Sequence, residues 1–310
     1  MKKKGTVVVV AGPTATGKTE AAILLALHYR TVVISCDSRQ LYREMTIGTA
    51  VPSPEQLQQV PHYFIQSHSI HQYYNAYLYE TEALDLLDSL FKTHRIVIVA
   101  GGSGLYLDAL CKGIDDLPTI DPEVRKEVDK KYREEGIEYL RHQLRILDPA
   151  YYEKVDLRNP KRMQKAIEVC LMTGRPYSSM LTGMKKERPF HIIKTGLMLP
   201  REELYKRIHA RIDRMIEAGL VEEARSLLPW RHLNPLNTVG YRELFEYFDQ
   251  RLSLPQAIER IRQNTRKYAK RQITWFQRDS EIRWFHPDEI SAMIQCIDEQ
   301  IADCLKEEKN

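Results

Sequence analysis

The segment Thr6–Tyr29, TVVVVAGPTATGKTEAAILLALHY, decides the fold. Its first part, Thr6–Ala11, is a run of Val and small residues typical of a buried parallel strand. Its last part, Thr19–Tyr29, is rich in Ala and Leu and favours a helix. The residues between them match GxxxxGK followed by Ser or Thr, a pattern whose backbone N–H groups converge on phosphate oxygens. The predicted phosphate loop consists of Gly12, Pro13, Thr14, Ala15, Thr16, Gly17, Lys18 and Thr19.

Two side chains of the phosphate loop have a predicted chemical role. Lys18 brings a positive charge to the phosphate, and the hydroxyl of Thr19 can bind Mg²⁺. The alternative is a strand–helix turn without a ligand. The loop alone does not say whether its ligand is a nucleoside triphosphate.

Two further short apolar runs, Thr31–Cys36 and Arg95–Ala100, alternate with helical stretches. Such runs are typical of buried parallel strands joined by helical crossovers. Ile192–Leu199 is predicted to return to the same sheet. The sequence therefore predicts an α/β fold, with a parallel sheet core like that of phosphate-loop NTPases.

From about Asp115 to Pro189 the strand pattern disappears. Charged, helix-favouring sequence replaces it, with a helix start at Asp121-Pro122. We predict a helical insertion domain over residues 115–189, within a core formed by residues 1–114 and 190–310. Two core helices are also predicted, one over Arg201–Leu228 and one that begins near Pro255.

The composition excludes several classes of protein. Of the 310 residues, 43% are hydrophobic and 28% charged, which is ordinary for a globular protein and excludes a disordered or collagen-like chain. No apolar run approaches the ~20 residues of a membrane helix, so we expect no membrane association. The five cysteines are odd in number and form no CxxC, which argues against a disulfide framework or a zinc site and fits a reducing cytoplasm.

Positive charge is concentrated near the C-terminus. Seven basic residues and no Asp or Glu lie between Arg260 and Arg278, against a net charge of +4 for the whole chain. They are Arg260, Arg262, Arg266, Lys267, Lys270, Arg271 and Arg278. We predict that this basic face binds a phosphate backbone, whereas Tyr268, Trp275 and Phe276 at helical spacing are more typical of a core.

Asp37 lies at the carboxyl end of the second predicted strand, the edge at which parallel sheets bind ligands. A carboxylate there can accept a proton from a nucleophile, or it can instead cap a helix or lie in the outer shell of Mg²⁺. Gly101–Gly104 follows the third strand and lets the backbone approach a ligand closely. No acidic residue follows that strand, which weakens an ATPase interpretation.

A row of arginines, Arg207, Arg211 and Arg214, is spaced i, i+4, i+7 on the helix over Arg201–Leu228. Such a row can clamp a diphosphate. The alternative is that it is solvated or paired with Glu203 and Glu217.

Five segments together resemble the bacterial tRNA dimethylallyltransferases in order and spacing over nearly the whole chain. They are Gly12–Thr19, Asp37–Tyr42 with Ile47–Ala50, Gly101–Tyr106, Val239–Arg242 and Lys270–Trp275. The resemblance implies a phosphate-loop α/β core with a helical insertion that grips the anticodon stem. It implies transfer of a dimethylallyl group from dimethylallyl diphosphate to the exocyclic N6 amine of the adenosine on the 3′ side of the anticodon.

The resemblance also implies roles for individual residues. Asp37 is expected to be the general base, Thr19 the Mg²⁺ ligand, and Lys18 with the loop amides the diphosphate site. Arg211 is expected to clamp the diphosphate from the other side. The expected partners are dimethylallyl diphosphate and the tRNA anticodon stem-loop, with Mg²⁺ as cofactor, and we expect a monomer.

The tRNA-contacting stretches of the family match Asp37–Gln40, Lys161–Lys165, Asn237–Arg242 and Lys270–Gln277, and we add Gly101, Ser103 and Lys267 to them. The residues implied are Asp37, Ser38, Arg39, Gln40, Gly101, Ser103, Lys161, Arg162, Met163, Gln164, Lys165, Asn237, Thr238, Val239, Gly240, Tyr241, Arg242, Lys267, Lys270, Arg271, Gln272 and Trp275. Ser103 replaces a more usual threonine, and Lys161 and Lys165 stand where Gln or Arg are common. Lysine lacks the bidentate geometry of those side chains.

Two other functions remain open from the residues alone. A phosphate-loop kinase or free-nucleotide prenyltransferase would share the loop and Asp37 but leave the basic face without a role. A non-catalytic RNA-binding NTPase would need an acidic residue where Gly101 stands. For the transfer itself, we expect the target adenosine to be flipped out of the anticodon loop to reach Asp37.

Overall fold

The fold is described from a computed structural model that covers residues 3–307. Within these residues the chain forms two compact units. The first comprises residues 3–112 and 187–307, and the second is Gly113–Lys186. The predicted insertion of residues 115–189 begins two residues later and ends three residues later than the second unit.

Six parallel strands form the sheet of the first unit, in the order β3-β2-β4-β1-β5-β6. They are β1 (Thr6–Ala11), β2 (Val33–Ser35), β3 (His62–Tyr63), β4 (Ile96–Gly101), β5 (His191–Leu197) and β6 (Arg283–Phe285). The four predicted strands are β1, β2, β4 and β5, and every residue of β1 is buried. The predicted α/β fold with a parallel sheet is therefore confirmed.

Thirteen helices occur within residues 3–307. They are α1 (Lys18–His28), α2 (Pro54–Gln59), α3 (Ala76–Leu90), α4 (Gly104–Lys112), α5 (Pro122–Glu135), α6 (Ile137–Leu147), α7 (Pro149–Tyr152), α8 (Pro160–Thr173), α9 (Arg201–Glu217), α10 (Leu220–Ser226), α11 (Tyr241–Phe248), α12 (Leu254–Phe276) and α13 (Ile290–Glu307). Short 3₁₀ turns occur at Tyr177–Met180, Leu228–Trp230 and Asn234–Leu236.

The core of the first unit lies between the sheet and its helices. Val8 and Val10 of β1 pack with Leu25 of α1 and with Met293 and Ile297 of α13. The alternation of side chains along β1 places Val9 and Ala11 on the opposite face. Because both faces are covered, the strands are apolar throughout, which is why they were recognisable in the sequence.

One predicted helix is wrong in its extent. The stretch Arg201–Leu228 forms two helices, α9 and α10, and the chain turns at Gly219, where φ is 97°. This left-handed conformation ends a helix at little cost only for glycine. The helix predicted near Pro255 is α12, and Ser253 caps it by accepting the N–H of Gln256.

The second unit consists of α5 to α8. Its core contains Val128, Leu140, Leu144, Met163 and Ile167, all fully buried. Asp121 caps α5 by accepting the N–H of Glu123, as the sequence Asp121-Pro122 predicts. Among the described helices of either unit, none combines the length and apolar character that crossing a bilayer requires.

Candidate active site and tRNA interface

The phosphate loop connects β1 to α1 at the carboxyl edge of the sheet. The hydroxyl of Thr16 donates to the carbonyl of Pro13 at 2.9 Å, and Lys18 Nζ donates to the same carbonyl at 2.6 Å. These bonds close the loop on itself. Thr19 is half-buried in the first turn of α1, and its hydroxyl makes no hydrogen bond with any residue from 3 to 307.

Lys18, Arg211 and Asp37 lie close enough for their charges to interact. Burial and, next, the Arg211 guanidinium lower the pKa of Lys18 to about 8, and the Asp37 carboxylate opposes the shift. Burial also lowers the pKa of Arg211, against the effect of Asp37. Two positive charges and one carboxylate thus meet at the phosphate loop.

Asp37 follows β2 and is held by its own backbone. Its Oδ1 accepts the N–H groups of Arg39 at 2.8 Å and of Gln40 at 3.3 Å. These bonds form a turn and cap no α-helix. In the part of the chain that the structure describes, the second oxygen, Oδ2, accepts no hydrogen bond. It can therefore receive a proton.

Ser103 joins the ends of β4 and β2. Its hydroxyl accepts the N–H of Ser38 at 2.9 Å and donates to the Ser38 hydroxyl at 3.1 Å. Gly101 lies so close to the backbone of Cys36 that a Cβ would fall 2.0 Å from that carbonyl oxygen. The predicted residues on these two strand ends are thus neighbours.

Gln272 is one of the predicted tRNA contacts, and it is buried in the structure. Its side chain is only 6% exposed. Oε1 accepts the N–H of Thr14 at 2.9 Å, and Nε2 donates to the carbonyl of Gly102 at 2.8 Å. Gln272 therefore ties α12 to the phosphate loop. The neighbouring Trp275 is half-buried, and its Nε1 donates to Asp108 at 2.9 Å.

The basic face of α12 is partly neutralised by acidic residues outside the stretch Arg260–Arg278. Arg260 pairs with Glu246 at 2.7 Å and Arg262 with Asp213 at 2.5 Å. The absence of Asp and Glu between Arg260 and Arg278 therefore does not leave these two arginines unpaired, and Arg266 also lies 3.7 Å from Glu259. The other four cations of the stretch are exposed and have no acidic partner within residues 3–307. They are Lys267, Lys270 and Arg271 on α12 and Arg278 just after it.

The predicted tRNA segment Asn237–Arg242 presents only some of its side chains. Asn237 and Arg242 are exposed, and Thr238 and Val239 are half-buried. Gly240 and Tyr241 are buried, and the Tyr241 ring is 0% exposed. The Tyr241 hydroxyl donates to Glu223 at 2.6 Å, and the tRNA contact of this residue stays a prediction.

In the insertion, Lys161 and Arg162 are exposed at the start of α8. Met163 is 0% exposed, and Gln164 is 2% exposed and donates to Asp129 at 2.6 Å. Both side chains face the interior of the unit, and their tRNA contacts stay predictions. Burial lowers the pKa of Lys165, which is half-buried.

The three arginines of the row on α9 have different partners. Arg207 pairs with Glu203 at 2.8 Å, as the alternative interpretation of this row proposed. Arg214 donates from Nε to the carbonyl of Ala210 at 3.3 Å. Arg211 alone interacts electrostatically with both Lys18 and Asp37.

Sequence reasoning missed two residues near the site. Tyr268 was assigned to the core, but its pKa rises to about 12 through burial and, next, through the Asp37 carboxylate. Its position one helical turn before Gln272 could have indicated this, because residues four apart share a face. Glu223, the partner of Tyr241, lies outside every motif, and no local signal identified it.

Comparisons with known proteins agree with the geometry. A family model described as IPP transferase matches residues 40–279. The tRNA dimethylallyltransferase 1 of Bacteroides thetaiotaomicron is 54% identical over 290 residues, which cover 94% of each chain. The tRNA dimethylallyltransferase of Cytophaga hutchinsonii is 48% identical over 295 residues, covering 95% of this chain and 97% of that protein.

Solved structures share the fold. A tRNA isopentenylpyrophosphate transferase from Bacillus halodurans superposes with a TM-score of 0.73 at 30% identity, covering 99% of this chain and all of the other. A eukaryotic dimethylallyltransferase acting on tRNA has a TM-score of 0.72 at 24% identity, covering 88% of this chain and 70% of that one. At that identity the likeness concerns the fold. The chain itself belongs to the IPP transferase family, the family of the tRNA dimethylallyltransferases, which are prenyltransferases that modify a tRNA adenosine.

Proposed function

We propose that this chain transfers the dimethylallyl group of dimethylallyl diphosphate to the N6 amine of the adenosine on the 3′ side of the tRNA anticodon. One observation supports this most directly. Asp37, with Oδ2 available, lies beside Lys18 and Arg211 at a phosphate loop. A proton acceptor and a diphosphate site are therefore adjacent, as the reaction requires.

Departure of the diphosphate is the first need of the reaction. As the bond between the allylic carbon and the diphosphate oxygen breaks, positive charge spreads over the allyl group and negative charge grows on the diphosphate. The loop amides, Lys18 and Arg211 meet that charge with preorganised donors. This favours the transition state over the bound substrate.

The site also fits Mg²⁺. Mg²⁺ in such sites is bound by one or two protein oxygens, by waters and by the phosphates themselves. Thr19 can supply one oxygen, since its hydroxyl makes no bond with any described residue. When bound, Mg²⁺ would neutralise part of the diphosphate charge. No group of three or more His, Cys, Asp or Glu within residues 3–307 could hold a metal without the substrate.

The acceptor amine needs help because its lone pair is delocalised into the adenine ring. The new bond joins N6 to the allylic carbon, and the amine loses one proton. Asp37 Oδ2 receives that proton as the general base. A stacked base cannot reach the carboxylate, so the adenosine must be flipped toward it.

The tRNA backbone is held by positive charge. Lys267, Lys270 and Arg271 are exposed and have no acidic partner within the described residues, and the backbone N–H of Arg39 donates to Asp37 in the site. We propose that the exposed Lys161 and Arg162 of the insertion contact the anticodon stem. We also propose that one copy of the chain acts alone, in the cytoplasm.

The test compares Asp37→Asn with the wild-type protein. Asn keeps the shape of Asp but cannot accept the proton, so turnover should fall by roughly 10²–10⁴ while tRNA binding remains. Pyrophosphate release is measured from dimethylallyl diphosphate with and without tRNA. Wild-type turnover by Asp37→Asn would contradict the general-base role. Phosphate release from ATP or GTP without prenyl transfer would favour a kinase or NTPase instead.

A further inference from the structure

Glu223 of α10 accepts four hydrogen bonds that the proposed mechanism does not use. Its Oε2 accepts the backbone N–H groups of Thr46 at 3.0 Å and Ile47 at 2.8 Å. Its Oε1 accepts the N–H of Gly48 at 2.9 Å and the hydroxyl of Tyr241 at 2.6 Å. One carboxylate thus joins two separate segments, the loop of residues 46–50 and the start of α11.

The fit between these segments is close. A Cβ on residue 48 would lie 2.6 Å from atoms of the Tyr241 ring and hydroxyl, so the approach requires Gly48. Tyr241 is fully buried. Burial and, next, the Glu223 carboxylate raise the pKa of Tyr241, so its hydroxyl remains a proton donor.

The other side of loop 46–50 contacts the segment that contains the proposed base. Gln40 Nε2 donates to the carbonyls of Ala50 at 2.8 Å and Thr49 at 3.3 Å. The backbone N–H of Gln40 in turn donates to Asp37 Oδ1 at 3.3 Å. A continuous set of hydrogen bonds therefore links Glu223, through the loop, to Asp37.

We infer that Glu223 is a positioning residue for the tRNA substrate, holding loop 46–50 against α11 so that Asp37 and Gln40 meet the adenosine in one geometry. The inference rests on the proposed function of Asp37. All four partners of Glu223 are donors, and three are backbone amides. The two oxygens of a carboxylate can accept from all of them, whereas an amide side chain would turn its own NH₂ toward at least one donor.

The test is Glu223→Gln, which keeps the size of the side chain. We expect kcat/KM for tRNA to fall about tenfold to a hundredfold, the effect of losing charge-assisted hydrogen bonds. Affinity for dimethylallyl diphosphate should not change, because the phosphate loop makes none of these bonds. Hydrogen exchange should accelerate in a peptide spanning residues 42–52 and stay unchanged in one spanning residues 9–20.

Glu222→Gln is the matched control. Glu222 is exposed on the same helix and forms no bond with loop 46–50. This variant should behave as wild type in all three measurements. Tyr241→Phe removes one donor and leaves the three amide bonds, so it should shift the same measurements in the same direction by less.

Two results would overturn the inference. One is a wild-type kcat/KM for tRNA in Glu223→Gln. The other is an equal loss of tRNA use and diphosphate affinity, which would indicate general destabilisation. Failure of the proposed function is distinct, since it would show as turnover that does not need Asp37, whatever the behaviour of Glu223.

Discussion

Burial and, next, the Arg211 guanidinium lower the pKa of Lys18 to about 8. The Asp37 carboxylate acts on this pKa in the opposite direction. In the free protein Lys18 therefore loses its proton as the pH rises through about 8. If the charged form binds the diphosphate, affinity for inorganic pyrophosphate should fall by up to about tenfold per pH unit above that value. Calorimetric titration between pH 6.5 and 9.5 measures this loss.

Lys18→Arg is the control for that titration. Arginine keeps its charge over the whole range, so changes in the ionisation of pyrophosphate itself appear in both proteins and can be subtracted. Equal pH profiles for the two proteins would show that Lys18 does not titrate in this range.

At the scale of single residues, the sequence predicted the phosphate loop and Asp37 because local pattern determines both. It did not predict which way side chains within a matching segment face. Met163, Tyr241 and Gln272 lie in segments that resemble tRNA-contacting stretches, but neighbouring elements bury all three. The direction in which these side chains face depends on packing against helices that are distant in sequence. A short motif carries no information about that packing.

At the scale of elements, α12 has two different sides. One side inserts Gln272 into the phosphate-loop region, and the other exposes Lys267, Lys270 and Arg271 within about one turn. If these three contact RNA phosphates, each replacement by Ala should weaken tRNA binding. Each should also reduce the slope of log K against log salt by about 0.7–0.9. Affinity measured at several salt concentrations tests this.

Arg260→Ala provides the comparison on the same helix. Arg260 is exposed but already paired with Glu246, so its removal should change the slope less. Identical slopes for wild type and the three single variants would remove α12 from the tRNA surface. Lost modification with unchanged affinity would instead mean that the residue positions the adenosine.

Element boundaries were predictable where capping and turn residues mark them, as at Asp121-Pro122. The break at Gly219 was missed because Leu220 and Ala224 continue an apolar helical pattern past it.

The acidic partners of Arg260 and Arg262 were missed for another reason. They lie on α11 and α9, and local charge counting cannot include residues brought near by folding.

At the scale of the whole molecule, Asp279 joins three elements of the first unit. Burial opposes ionisation of Asp279, but hydrogen bonds from Lys194 and Lys112 outweigh it and lower its pKa to about 2. A carboxyl whose folded pKa is lowered stabilises the fold above its unfolded pKa, 3.8, and loses that effect as the pH falls toward 2. Asp279→Asn should therefore lower the free energy of unfolding by about 2 kcal/mol at pH 7.

Chemical denaturation at several pH values measures this contribution. The difference between wild type and Asp279→Asn should shrink when the pH falls below about 4. Asp303→Asn changes an exposed carboxyl on α13 and should alter stability by less than about 0.5 kcal/mol. A difference that persists unchanged at pH 3 would show that packing, and not ionisation, explains the effect of Asp279.

The sheet has two open edges, and both are short. The edge strands, His62–Tyr63 and Arg283–Phe285, have only two and three residues, and Arg283 is exposed. An edge strand is a template on which another chain can add a strand, and its length limits how many peptide groups it offers. The long Val- and Ile-rich strands, which would be the most aggregation-prone, are paired on both sides. The strand order thus protects the folded protein against edge-to-edge aggregation.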